Sequence, residues 1–289
     1  MEYEGRICRG PMERASYMLP VSVGCAYNAC RFCMLFKHLR CRELPLHQIE
    51  AELQRVSSLG GAPKVVYLGD GNAFHLPTER LVRILELIAR YLPSCQAVHM
   101  DATVTDIAQK TDAELALLYA HGVRRLYLGI ESGLEDVLIS MNKDHTIAQA
   151  DAAISRIRAQ GYVYGAHIMT GVAGKGRGLE NATALAAFLN RNPPAAIINF
   201  SMFIHKRAPL WADIEAGRFT PADEVENMME ERRLLELLET DGLDYDGFHD
   251  KIEIRVRGRL PEKREIMLTK LDAAIEVYRR EKPVVAVVE

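Results

Sequence analysis

The chain has 289 residues, of which 48% are hydrophobic and 26% charged. This length and composition are sufficient for one large α/β domain or two small ones. A net charge of −3 and a pI near 6.3 argue against a general attraction to nucleic acid or anionic lipid. The first residues lack the apolar segment of a signal peptide, and no apolar run approaches the roughly 20 residues that span a bilayer. We therefore expect a cytoplasmic protein with no membrane partner.

The first predicted strand, residues 18–23, leads into a loop that is rich in cysteine. Three of the six cysteines lie there, at Cys25, Cys30 and Cys33. The other three are scattered along the chain, at Cys8, Cys41 and Cys95. A structural zinc site would need a fourth ligand at a second short spacing, and a disulfide scaffold would not leave an odd cluster. Three adjacent thiolates with an open fourth position instead predict a reactive, oxygen-sensitive iron–sulfur cluster.

Beyond this loop, strand-like and helix-like segments alternate regularly. Apolar residues at helical spacing predict helices at 46–59, 79–91, 111–119, 146–159 and 180–190. Short β-branched runs predict strands at 64–68, 97–103, 124–128, 162–169 and 196–203. With the first strand this makes six β/α units. Such alternation predicts a parallel α/β sheet, with functional residues at the carboxyl ends of its strands.

The pattern changes after residue 210, so we divide the chain into domains at residues 1–210 and 211–289. The second part is predicted to contain a helix, a Gly/Asp-rich loop, a half-exposed strand and a last helix, at 221–239, 241–250, 251–259 and 261–280. Arg255, Arg257 and Arg259 alternate along this strand, and His249 precedes it. These basic residues either cover the substrate site or form a solvated face.

The cysteine loop resembles the cluster-binding loop of the radical S-adenosylmethionine (radical SAM) superfamily, which reads CxxxCxxC with an aromatic residue before the third cysteine. Phe32 matches that aromatic residue, although four residues separate Cys25 from Cys30. The resemblance implies that each cysteine of the loop binds one iron of a 4Fe–4S cluster and that SAM chelates the fourth iron.

The same resemblance implies a partial (β/α)6 barrel of the TIM type with a C-terminal extension packed on it. It also implies reductive cleavage of SAM to a 5′-deoxyadenosyl radical that abstracts hydrogen from a substrate. An electron donor such as flavodoxin or ferredoxin is then required.

Strand ends carry the other similar motifs. Gly69-Asp70-Gly71 stands where superfamily members hold the SAM amino group, and Gly171 where they pack the adenine. Residues 129–133, Gly-Ile-Glu-Ser-Gly, are similar to a stretch near the SAM ribose and carboxylate in the branch of oxygen-independent coproporphyrinogen oxidases and methylthiotransferases. The SAM-binding residues implied in this way are Phe32, Gly69, Asp70, Gly71, Thr103, Glu131, Ser132, His167 and Gly171. Each has an ordinary alternative: a strand-to-helix turn, a helix cap, or a structural histidine.

The substrate is indicated only by charge. His167 and the sequence His205-Lys206-Arg207 predict a cationic rim on an acidic protein, so we expect a small anionic substrate. An RNA-modifying enzyme is the alternative, although the negative net charge and the lack of an added RNA-binding module argue against nucleic acid as a partner. A non-enzymatic iron–sulfur protein would leave the open iron and the Glu131-Ser132 motif without a role.

Overall fold

The structure is a computed structural model and describes residues 9–289. Cys8, and the N-terminal residues on which the expected lack of a signal peptide rests, lie outside the described residues. Within them, no helix is both long and apolar enough to cross a membrane.

The strands and helices follow the predicted alternation. The strands are β1 (Tyr17–Pro20), β2 (Ser22–Val23), β3 (Arg42–Glu43), β4 (Val65–Gly69), β5 (Ala97–Ala102), β6 (Val123–Glu131), β7 (Val163–Thr170), β8 (Ala196–Ser201), β9 (Ile204–His205), β10 (Leu243–His249), β11 (Ile254–Leu260) and β12 (Val287–Val288). The helices are α1 (Leu46–Ser58), α2 (Thr78–Tyr91), α3 (Val104–Gln109), α4 (Asp112–Ala120), α5 (Glu135–Ser140), α6 (Ile147–Ala159), α7 (Gly178–Arg191), α8 (Pro209–Glu215), α9 (Glu224–Leu237) and α10 (Arg264–Tyr278).

The chain divides into two compact units, of which the first contains the residues up to Asn28, Leu35–Leu128 and Ala152–Tyr164. Its parallel strands lie in the order β1, β4, β5, β6. The apolar stripes of α1 and α2 are buried, as their periodicity predicts. Because the strands are parallel, the turns after β4 and β5 leave the same edge of the sheet.

The second unit contains Ala29–Met34, Gly129–Asp151 and Gly165–Glu289. Strands β7, β8 and β10 are parallel, and β11 runs antiparallel beside β10. Helix α9 packs against α7 and α10 and against β10. The C-terminal β12 pairs with β9.

Two details of the sequence prediction are wrong. The predicted loop 241–250 contains strand β10, which pairs with both β8 and β11. Its Gly247 lowers strand propensity, but a Cβ there would lie 1.7 Å from Oε1 of Glu231, so packing of α9 requires glycine. The predicted strand 196–203 ends at Ser201, and a separate short strand, β9, follows it.

Candidate active site

The second half of the cysteine loop is anchored by its backbone within the second unit. The Arg31 N–H donates to the Met141 carbonyl at 3.0 Å, and the Arg31 carbonyl accepts from the Leu210 N–H at 3.0 Å. The guanidinium of Arg31 pairs with Asp213. Asn142 Nδ2 donates to the Ala29 carbonyl at 3.1 Å. The segment that carries Cys30 and Cys33 is therefore held in place by α5 and α8.

The cysteine loop carries three thiols, and thiolate is the donor that holds iron–sulfur clusters. Cys25, Cys30 and Cys33 are reduced and half-buried. Within residues 9–289, no three His, Cys, Asp or Glu side chains are arranged around one metal ion. A 4Fe–4S cluster does not require such an arrangement, because each thiolate binds a different iron. The donor set therefore fits the cluster that the sequence predicts.

In the first unit, the turn after β4 lies directly against the start of the cysteine loop. A Cβ on Gly71 would lie 1.9 Å from the Gly24 carbonyl oxygen and 3.1 Å from the Cys25 nitrogen, and Gly71 has a φ of +59°. The Ala26 N–H donates to Asn72 Oδ1 at 2.9 Å. Asp70 is buried, and its Oδ1 accepts from the Gly71 N–H at 2.9 Å. Backbone contact at a glycine therefore fixes the loop on this side.

A polar relay extends from this turn to α3. Asn72 Nδ2 donates to Asp106 Oδ2 at 2.7 Å, and the same oxygen accepts from the Thr103 N–H at 2.9 Å. Thr103 Oγ1 accepts from the Asp106 N–H at 3.0 Å, which completes a capping box. The hydroxyl of Thr103, predicted to contact SAM, is thus used as the N-cap of α3. Asn72 was not predicted to have a role, although an Asn in a strand-end turn is a common side-chain acceptor.

Cys41 lies near the start of the loop but has the character of a neutral thiol. Its Sγ is 3.8 Å from His75 Nε2. Burial raises the pKa of Cys41, and the neighbouring Cys25, Asp106 and Glu43 raise it further. A thiol that resists ionisation is a poor iron ligand.

The second unit contains a compact group of residues around a buried lysine. Its members are Lys143, Glu131, Phe32 and Cys30. Lys143 Nζ lies 3.2 Å from Glu131 Oε1 and 6.0 Å from the centre of the Phe32 ring. Only 7% of the Lys143 side chain is exposed. Burial alone would lower the pKa of Lys143, but the negative charges of Glu131, Cys30 and Asp144 raise it above its usual range. Lys143 is therefore a buried ammonium beside a predicted iron ligand.

The backbone of Glu131 and the side chain of Phe32 are both held in place by neighbouring residues. Glu131 has a φ of +61°, a conformation that residues other than glycine rarely adopt. Phe32 packs against a buried apolar cluster that includes Met141, Val172 and Leu210. No periodicity or motif in the sequence distinguishes Lys143, because it lies in the loop after α5, and the sequence analysis missed it.

Two further residues predicted to bind SAM are joined by buried hydrogen bonds to α9. Ser132 Oγ donates to Asn181 Oδ1 at 2.6 Å, and Asn181 Nδ2 donates to Glu230 Oε1 at 2.7 Å. The Gly171 N–H donates to Glu230 Oε2 at 2.9 Å. Burial raises the pKa of Glu230 to about 7. Ser132 and Gly171 are thus positioned by one carboxyl group, which sequence spacing did not indicate.

The same helix also holds a buried histidine between two acids. His249 donates to Glu224 Oε2 and Glu231 Oε2, each at 2.8 Å. Burial opposes the protonation of His249, but the two acids raise its pKa to about 9. Asn199 Nδ2 and Tyr245 Oη also donate to Glu231, at 3.0 and 2.8 Å. His249, placed among basic tail residues by its sequence, is therefore a core residue.

The predicted cationic rim is partly neutralised. Lys206 pairs with Glu289, and its N–H donates to the Val288 carbonyl at 3.0 Å. His205 Nδ1 accepts from the Arg207 N–H at 3.3 Å. His167, in contrast, stacks on Phe200 with the ring centres 6.0 Å apart. His167 lies on strand β7 and is far in sequence from the rim residues 205–207.

Comparison with known proteins supports the sequence interpretation. The model of the radical SAM superfamily matches residues 19–186, which is more than half of the chain. No curated protein sequence is significantly similar to the chain.

Several solved structures have a similar fold. One is a radical S-adenosylmethionine methyltransferase, TsrM, from Kitasatospora setae with cobalamin and a [4Fe-4S] cluster bound, with a TM-score of 0.54, 16% identity, and coverage of 70% of this chain and 39% of that one. Methylornithine synthase (PylB) has a TM-score of 0.56 and 16% identity, and the match covers 94% of this chain and 84% of that one. Coproporphyrinogen III oxidase (HemN) from Escherichia coli has a TM-score of 0.51 and 14% identity, and the match covers 92% of this chain and 52% of that one.

The chain therefore spans about two fifths of the first protein and about half of the third. At these identities the likeness concerns the fold, and it confirms the predicted α/β architecture of the partial, unclosed barrel type. Radical SAM enzymes use a 4Fe–4S cluster and SAM. From its motif, its fold and its match over residues 19–186, this chain belongs to the radical SAM superfamily of enzymes.

Proposed function

We propose that this enzyme binds a 4Fe–4S cluster through Cys25, Cys30 and Cys33 and cleaves SAM to act on a small substrate. A bound, reduced cluster would supply the electron for SAM cleavage, which is the chemistry that gives a 5′-deoxyadenosyl radical able to abstract hydrogen from a substrate. A low-potential donor such as flavodoxin or ferredoxin in a reducing cytoplasm suits this chemistry. The observation that carries the proposal is the buried ammonium of Lys143 beside Cys30, Glu131 and Phe32.

The charges around this ammonium match the groups of SAM. Lys143 can pair with the SAM carboxylate, while Glu131 can accept from the ribose hydroxyls. Gly69 and Gly171 also stay in the proposed set, and packing requires glycine at both: a Cβ on Gly69 would lie 2.4 Å from Met18 Cε, and one on Gly171 2.5 Å from Asn227 Oδ1. Asp70 and His167 stay in the proposed set, as do Gly71, Thr103 and Ser132, whose contacts support the turns that carry them.

The test is anaerobic reconstitution of single-cysteine variants. Cys25→Ala, Cys30→Ala and Cys33→Ala should each lose most of the iron and sulfide, because a cubane held by two thiolates is labile. Cys41→Ala and Cys95→Ala are matched controls that should keep the full iron content. Full retention of the cluster in Cys30→Ala, with Cys41→Ala depleted, would reassign the ligands.

The charge of the rim is the reason why we propose a small anionic substrate and not RNA. Lys206 is already paired with Glu289, which leaves the rim less cationic than the sequence predicts. A salt series with bulk tRNA decides between the two. Binding below micromolar at physiological salt, falling steeply as salt rises, would favour an RNA substrate.

A further inference from the structure

Three strands of the second unit carry a row of stacked aromatic rings on one face. We call His167, Phe200 and Phe248 the aromatic row. The ring centres of His167 and Phe200 are 6.0 Å apart, with 10° between the planes. Those of Phe200 and Phe248 are 5.6 Å apart, with 13° between the planes. Phe200 and Phe248 are direct partners on β8 and β10, so strand register aligns their rings.

A guanidinium ends the row. Arg255 is the register partner of Phe248, and its Cζ lies 4.3 Å from the centre of that ring. Asp246 fixes it by accepting from Nε at 2.7 Å and from Nη2 at 2.5 Å. Among residues 9–289, the hydrogen bonds of the Arg255 guanidinium use Nε and Nη2, and none uses Nη1. This nitrogen therefore offers two N–H donors beside the last ring.

The row faces away from the packed side of the sheet. The alternate residues Asn199, Tyr245 and His249 point to α9, and their exposure is 1% or less. The three rings of the aromatic row and Arg255 are half-buried. The row's face carries the three rings and the ion pair of Arg255 with Asp246 around the buried Ile198. Such a face matches the requirements of a ligand site, which combines apolar and aromatic surface with a few fixed polar groups.

The row also reaches the residues proposed to bind SAM. Met169 is the register partner of Phe200 and packs on the same apolar cluster as Phe32. Gly171 follows two residues later. A ligand on the row would therefore lie beside the SAM site of the same unit.

We infer that the aromatic row binds a flat, unsaturated ring of the substrate, and that Arg255 binds an anionic group on it. The inference rests on the proposed function, because it names the substrate class of that site. Arg257 lies on the same face and is exposed, and among the described residues no acid lies within ion-pair distance of it. Its charge adds to the attraction for an anion. Because the faces of Phe200 and Phe248 are covered by their neighbours in the row, the ligand ring packs edge-to-face on these rings, and the carboxylate or phosphate accepts from Nη1 of Arg255.

The test uses three probes with the cluster-containing enzyme under anaerobic conditions. These are 2-naphthoate, its saturated analogue decahydro-2-naphthoate, and neutral 2-naphthamide, titrated by calorimetry. We expect 2-naphthoate to bind at least about 3-fold more tightly than the saturated acid, since an edge-to-face aromatic contact adds roughly that much. It should bind about 10-fold more tightly than the amide, because a charge-assisted hydrogen bond is lost with the charge. Equal affinity for the two acids would overturn the aromatic contact, and equal affinity for acid and amide would overturn the role of Arg255.

Variants then test whether 2-naphthoate binds at the aromatic row. Phe248→Leu should weaken 2-naphthoate about 3- to 10-fold, and Arg255→Met should weaken it about 10-fold. Phe203→Leu and Arg280→Met remove an exposed phenylalanine and an exposed arginine elsewhere in the unit, and should change nothing. Equal losses in the control variants would overturn the assignment, and the wild-type series decides the matter should a row variant not fold.

Iron content and SAM affinity are measured on the same samples. A wild-type protein that binds neither iron nor SAM contradicts the proposed function, whereas one that binds both but no 2-naphthoate contradicts only the row.

Discussion

The turns that follow β4 and β6 are both proposed to hold SAM, yet they are built on different physical principles. After β4, glycine lets backbone approach backbone, as Gly71 does against Gly24. After β6, charged side chains hold the turn, with Glu131 paired to a buried Lys143 and Ser132 linked through Asn181 to Glu230. The first turn should therefore respond to changes of volume, and the second to changes of charge.

The largest effect is expected at Gly71. In Gly71→Ala the new methyl would overlap the Gly24 carbonyl oxygen, and the positive φ adds strain. Most of the cluster should be lost, measured as iron and sulfide per chain after anaerobic reconstitution. Gly60→Ala is the matched control, because Gly60 has a φ of +76° with no atom within 4 Å of a Cβ. A full iron content in Gly71→Ala would show that the backbone contact is dispensable.

The second largest effect is expected at Lys143. Lys143→Met removes a buried cation and leaves Glu131 unpaired, which should cost about 3–5 kcal/mol of unfolding free energy. SAM binding should weaken at least 10-fold, and the cluster's midpoint potential should fall because a nearby positive charge favours the reduced state. Urea denaturation, calorimetry and a redox titration measure these three changes. Lys206→Met, which removes an exposed lysine, should leave all three quantities unchanged; the same losses in that variant would argue against a local role for Lys143.

The sequence predicted the α/β rhythm because helix and strand periodicities depend on neighbouring residues alone. The Thr111–Glu114 capping box is a local signal, and it begins α4 as predicted. Lys143 and Glu230 could not be found in this way, since their importance comes from partners 12 and 59 residues away, Glu131 and Gly171. Strand β10 was not predicted for the same reason. In the sequence Gly247 indicates a turn, and its close contact with Glu231 exists only in the folded chain.

Charge also makes the second unit sensitive to pH. The folded pKa of His249 is about 9, above its ordinary value of 6.5, so its contribution to stability is complete below pH 6.5 and lost as the pH rises to 9. The raised pKa of Glu230, about 7 against 4.5, acts in the same direction between pH 4.5 and 7. Unfolding free energy should fall by on the order of 2 kcal/mol between pH 6.5 and 9.

Urea denaturation of the cluster-containing enzyme across this range measures the slope. His249→Gln should flatten the curve above pH 7, and Glu230→Gln should flatten it below. His121→Gln, at the exposed end of α4, is the control that keeps the wild-type slope. A flat wild-type profile would contradict the buried His249 cation.

The smallest effect is expected at Asp70, where the two principles meet. Asp70 is an acid in the turn held by backbone contact, and its Oδ1 accepts from the neighbouring Gly71 N–H. Asp70→Asn keeps an oxygen able to accept that bond, so stability should change by no more than about 1 kcal/mol. SAM affinity should weaken less than about 5-fold if Gly69 supplies its contacts through the backbone. A loss above 30-fold with normal iron content would instead assign Asp70 to the SAM ammonium, because a lost charge pair is worth more than a neutral hydrogen bond. The turn after β4 would then depend on charge as the turn after β6 does.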